Sequence, residues 1–180
     1  MNQISMPSHL EELIEPLRMT NQSTSVFIET LVISGSKIAA TDREKEFIIW
    51  LAQKDQNVIG RGVVGFNIEE MPWIEDDFPE MKSFMLECIR GVINKLQWEL
   101  LNYEPNEQWI KDTFEHFGTM IELFEEKFVN AENYIEWSTP DEGDDHPTIP
   151  RGYPKCAEHS VYLSCFGCLI CNSNKGMNFK

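Results

Sequence analysis

The sequence predicts a mainly α protein: a helical bundle with a central antiparallel helical hairpin, followed by a small C-terminal β element that metal-ligating side chains staple. Three observations lead there. Apolar residues recur at three- and four-residue spacing through most of the first 137 positions, helix-capping residues precede those runs, and four of the five cysteines follow position 155. A chain of 180 residues, 42% apolar and 25% charged, can bury one substantial core. It divides by composition into an acidic helical domain over 1–137, a Pro-rich acidic linker over 138–154 and a metal-binding tail over 155–180.

Along the chain, the first helix signal is Ser8 with Glu11, where each side chain can bond the other residue's amide. Leu10, Leu13, Ile14 and Leu17 follow on one face, with Pro16 limiting the helix. Residues 24–40 satisfy two periods. Phe27, Leu31 and Ile38 fit a helix, whereas Val26, Ile28, Thr30, Val32 and Ile33 have the β-branched density of a strand; helix is preferred. Thr41 with Glu44 opens a clearer helix through Phe47, Ile48, Leu51 and Ala52.

The next stretch, GRGVVG from Gly60 to Gly65, matches a dinucleotide fingerprint by letter. That fingerprint works between a strand and a helix, where the helix's free amides meet the pyrophosphate. Here a helix precedes it and an acidic run follows, so a glycine-permitted irregular loop or short hairpin is expected.

Asp77 with Glu80 signals the longest helix, from Phe78 toward Tyr103, striped by Met85, Ile89, Val92, Leu96 and Leu100. Pro105 opens a fourth helix, seamed by Ile110, Phe114, Phe117, Ile121, Phe124 and Phe128. The short connection between the two predicts the antiparallel hairpin. Four prolines between Ser138 and Pro154 then make a stiff linker.

Charge is distributed unevenly. Residues 1–150 hold 29 Asp/Glu against 11 Lys/Arg, a net −18, whereas 151–180 hold one against four, a net +3. Such a body repels nucleic-acid backbones and anionic lipids and steers basic partners toward itself. Glu70, Trp73, Asp76 and Asp77 are the candidate capture surface, the ring supplying buried area and the acids supplying attraction. The competing expectation is that Trp73 fills the core, Asp77 caps a helix and the remaining acids are solvated.

No HExxH or GxSxG frame occurs, and sequence proximity among 30 acids says little about acid–base pairs. His9 and His116 fall on helix faces, His146 falls in the linker, and Cys88 falls in an apolar stripe. No catalytic residue is assigned. With neither a signal-peptide pattern nor a run of about 18 apolar residues, a cytoplasmic location is expected.

In a reducing compartment the tail cysteines read as metal ligands rather than disulfides. Zinc takes four tetrahedral nitrogen and sulfur ligands, commonly as two pairs, each spaced by two residues. Cys156 and His159 form one pair. The other is Cys165 with Cys168 or Cys168 with Cys171. Asn172, tolerant of a left-handed backbone after a tight turn, favours the latter, leaving the ligand set Cys156, His159, Cys168 and Cys171. Val161, Leu163 and Cys165 alternate with Tyr162 and Ser164 as a short strand would.

The C-x2-H and C-x2-C pairs resemble a small zinc ribbon or knuckle over about residues 153–174. The resemblance implies a structural Zn2+ that folds a segment too small to hold itself. An iron–sulfur centre on Cys165, Cys168 and Cys171, completed by Cys156 or His159, remains an alternative. No family resemblance extends to residues 1–150.

The leading functional expectation is a non-catalytic cytosolic protein whose acidic surface captures a basic protein, as an immunity protein or antitoxin does. Two alternatives come from other classes. One is a metal-dependent hydrolase using clustered carboxylates. The other is a weak nucleic-acid adaptor using Arg151, Lys155, Lys175 and Lys180 beside Tyr153, Tyr162 and Phe166.

Overall fold

In the computed structural model, which describes residues 1–176, the chain begins with strand β1, Asn2–Ser5, and turns through Ser8–Leu10 into strand β2, Leu17–Met19. The expected first helix is therefore a single 3-10 turn. Only Leu10 of its apolar set is buried, Leu13 is exposed, and Pro16 passes the chain into β2, where no helical hydrogen bond is required.

Helix α1, Asn21–Ile38, resolves the ambiguous stretch as helix; the Thr20 hydroxyl caps it by accepting the Ser23 amide. The β-branched density there has a packing explanation. Residues Phe27 to Ser36 are all buried, because α1 is surrounded by other elements and needs no polar face. Helix α2, Asp42–Ala52, begins at the reciprocal Thr41–Glu44 capping box.

The glycine-rich stretch forms a hairpin rather than a phosphate loop. Strands β3, Asp55–Gln56, and β4, Gly62–Val63, pair antiparallel, with Gly60 at φ +78° in the turn and Gly62 at φ +73° opening β4. At Gly65 a Cβ would come within 2.0 Å of the Gln3 carbonyl oxygen. Only glycine lets β5, Phe66–Asn67, pair parallel with β1 there, completing a sheet ordered β2-β1-β5.

Helix α3 runs Phe78–Ile93, ten residues short of Tyr103. It ends in a Schellman motif: Lys95 takes φ +62° while the Leu96 and Lys95 amides donate to the Gly91 and Val92 carbonyls at 2.9 Å. Helix α4, Glu107–Leu123, follows, capped by Asn106 accepting from the Trp109 amide. The helices pack together: Lys82 in α3 donates to the Glu122 and Phe124 carbonyls at one end, and Lys95 pairs with Glu107 at the other.

Helix α5, Ala131–Ser138, precedes the Pro-rich segment, and α6, Leu169–Gly176, closes the described chain. The tail contains two isolated bridges, Lys155–Tyr162 and Ser164–Gly167, where the alternating pattern predicted a continuous strand. Val161, Tyr162, Leu169 and Ile170 are buried in the same apolar core as α1 to α4. Mainly helical is thus the architecture, and the tail shares its core.

Candidate metal centre

Two tight turns bring the four predicted ligands together. In the first, the Cys156 amide donates to the Val161 carbonyl and the Ser160 amide to the Cys156 carbonyl, both at 2.8 Å, so Cys156 and His159 face inward from one loop. In the second, the Ser164 and Gly167 backbones pair across a turn with Gly167 at φ +86°, delivering Cys168 to the start of α6. The Cys168 sulfur accepts the Cys171 amide at 3.5 Å, and Cys171 lies one helical turn on. A thiolate at a helix N-terminus is favoured by the free amides and the dipole there.

The geometry suits a metal ion. The Cys156 Sγ lies 3.7 Å from Cys171 Sγ and 3.7 Å from His159 Nδ1, which is itself 3.6 Å from Cys168 Sγ and 3.3 Å from Cys171 Sγ. All four donor atoms fall within 4.8 Å of one another. A tetrahedron with metal–sulfur and metal–nitrogen bonds of about 2.3 and 2.05 Å has edges of roughly 3.8 Å between sulfurs and 3.6 Å between sulfur and nitrogen. These four residues could hold a metal ion.

Electrostatics points the same way. Burial opposes ionisation at Cys156, yet the His159 and Glu158 backbone amides outweigh it and hold the thiol down to about 6. At Cys168, burial and then the neighbouring sulfurs push the thiol up to about 12. Burial, followed by Cys156, raises Cys171 as well. Three thiolates do not coexist here unaided, and a cation at their centre removes the conflict.

Cys165, the competing ligand, lies outside this group, exposed, with its sulfur 3.7 Å from Gln53 Nε2. The Asn172 rationale does not hold, however. Asn172 is helical within α6 and donates to the Phe166 carbonyl at 2.9 Å; helix geometry, not a left-handed turn, presents Cys171.

The four capture residues do not form a common surface. Trp73 is 1% exposed, packed among Phe47, Phe78 and Phe124, with its indole N–H donating to the Ile68 carbonyl at 2.9 Å. It is a core residue and offers no anchor. Asp77 is half-buried in an ion pair with Arg43 rather than capping α3. Glu70 caps the Ile68–Glu70 turn by accepting the Asn67 amide, and Asp76 is exposed. In the tail, Lys155 donates to the Ser36 carbonyl and lies over the Tyr162 ring, while Arg151 and Lys175 are exposed. Lys180 is outside the described residues.

Two buried acids belong to no sequence motif: Glu29, 3% exposed in the middle of α1, and Asp55, 5% exposed in β3. The signal for Glu29 was a single carboxylate inside the apolar run VFIETLVI. Cys88 is buried, and burial drives its thiol far above the ordinary range, as a packing role requires. Among the described residues no helix is long and apolar enough to cross a membrane. Neither a family model, nor a curated protein, nor a solved structure matches the chain.

Proposed function

We propose that this is a non-catalytic binding protein of the cytoplasm that captures a basic protein through its acidic surface, in the manner of an immunity protein or antitoxin, and that zinc holds its tail. The observation that carries the capture reading is the net −18 of residues 1–150. A field of that size accelerates encounter with a cationic partner and weakens as salt rises. Glu75, Asp76 and Glu80 are exposed and supply part of it.

Zinc is the preferred metal because three sulfurs and one imidazole nitrogen match its ligand chemistry. Four protein ligands complete its tetrahedron and leave no position for a reactive water, so the metal's work is structural. In this reading the two short bridges of the tail form a zinc-stapled β element. Helices α3 and α4 form an antiparallel hairpin beneath the acidic loop, a reading supported by the Lys82 contacts at one end and the Lys95–Glu107 pair at the other.

The test is affinity capture from the native host, followed by association kinetics of the captured protein at several salt concentrations. A basic partner whose association slows steeply with salt supports the proposal. A neutral or acidic partner, or salt-independent association, overturns it.

A further inference from the structure

A cleft of about 620 Å³ opens between the first half of α1, the start of α4 and α6. The buried Glu29 and the exposed Glu104 line it together with Tyr103 and Trp109. None of the described residues lining it is Lys, Arg or His. The volume falls in the range of small-ligand sites, roughly 300–1,000 Å³.

The charge state of Glu29 is what needs explaining. The Glu29 carboxylate accepts from the Tyr103 hydroxyl and has the neutral Ser173 of α6 beside it, and among the described residues the charged group that acts on it is another acid, Asp55. Burying a carboxylate without a cation is costly, and a glutamine in the same place would keep the hydrogen bonds at lower cost. Residues that break a local rule without a structural return mark function. The helix N-termini at the rim do not supply the missing charge: Thr20 and Asn106 already accept amides there.

We propose that this cleft binds an alkylammonium or guanidinium group, with Glu29 taking the positive charge and Tyr103 and Trp109 enclosing it. A carboxylate beside aromatic faces is ordinary recognition chemistry for organic cations. Ser173 sits two residues beyond Cys171, so a metal bound there would also hold this side of the cleft in place. The inference goes beyond partner capture and rests on the capture proposal only for the source of the cation, a side chain of the captured protein.

The test is a fluorescence titration of the full chain with N-acetyl-lysine methylamide, N-acetyl-arginine methylamide and butylammonium, against the uncharged N-acetyl-norleucine methylamide. Saturable binding of at least one cation is expected, about tenfold weaker in Glu29→Gln and undetectable for norleucine. Trp109→Leu, at the rim, should weaken the same cation without unfolding the chain. Tighter binding of the capped residues than of butylammonium assigns the source to polypeptide, the reverse assigns it to a free amine, and both sustain the site. Equal binding of norleucine, binding unchanged in folded Glu29→Gln, or no binding of any cation overturns it. Loss of this site would leave salt-dependent capture intact, so the two proposals fail separately.

Discussion

The Arg43 guanidinium donates to both carboxylate oxygens of Asp77, Nε to Oδ2 at 2.7 Å and Nη2 to Oδ1 at 3.3 Å, while Nη2 also reaches the Pro72 carbonyl at 2.6 Å. The same guanidinium lies 4.3 Å from the centre of the Tyr134 ring, and its Nη1 is buried without a hydrogen-bond partner, 3.8 Å from Glu46. Asp77 therefore ties the acidic loop to Arg43 of α2, which in turn meets Tyr134 of α5. Its removal strands a half-buried cation.

Asp77→Ala should accordingly destabilise the fold by about 1–3 kcal/mol, the usual loss for a charged hydrogen-bonded partner. Asp76→Ala, on an exposed side chain, should change stability by no more than about 0.5 kcal/mol. Urea midpoints of the two variants provide the comparison. Equal midpoints would show that the Arg43 pair contributes nothing.

Phe117 is wholly buried, edge-on to Phe27 at 5.1 Å between ring centres and to Phe114 and Phe66 at 6.4 Å. Phe117→Ala leaves a cavity among rings that cannot close over it and should cost about 3–5 kcal/mol. Phe117→Asp adds a buried charge without a partner and should prevent folding at ordinary temperature. Circular dichroism melts check both, and an unchanged midpoint would place this stripe outside the core.

Burial raises the Glu29 carboxyl above its ordinary range, with Asp55 adding to the shift and Tyr103 and Ser173 opposing it. The folded state thus holds this proton more tightly than the unfolded chain. The stability it contributes is full below the ordinary carboxylate pKa of 4.5 and is lost as pH rises through the higher folded value. Glu29→Gln should therefore be more stable than the parent at pH 7.5, with the advantage shrinking as pH falls toward 4.5. Melting curves across that window test the sign; a variant less stable than the parent at pH 7.5 would reverse it.

Cys156→Ser, Cys168→Ser and Cys171→Ser should each lose the metal, whereas Cys165→Ser should keep it, because Cys165 stands apart from the donor cluster. A thiol-competition assay with a chromogenic chelator reads this directly. Metal retained in Cys171→Ser and lost in Cys165→Ser would exchange the ligand assignment.

Local chemistry was legible in the sequence, and long-range pairing was not. The Thr41–Glu44 box marked α2 and two-residue spacing marked Cys156 with His159, because each signal acts within one turn of chain. Spacing fitted Cys165 with Cys168 as well as Cys168 with Cys171, and only the folded tail brings Cys171 rather than Cys165 into the donor cluster. The sheet left no such trace. Its strands have two to four residues, and their register comes from pairings such as Asn2 with Met19 and Ile4 with Phe66. Helix α3 was extended too far because Leu96 and Leu100 continue its spacing, while the residue that takes the left-handed turn is Lys95, where glycine would have announced the stop. Trp73 among acids read as an anchor or as core. Only the packing of Phe47, Phe78 and Phe124 around it distinguishes them.

Metal content of the freshly purified chain, measured by elemental analysis alongside its native mass, tests the central claim most directly. The account predicts about one zinc per chain, released by a chelator together with a fall in melting temperature as α6 and the 156–161 turn lose their staple. A metal-free chain with an unaltered melting transition, or an iron–sulfur visible spectrum, would contradict it.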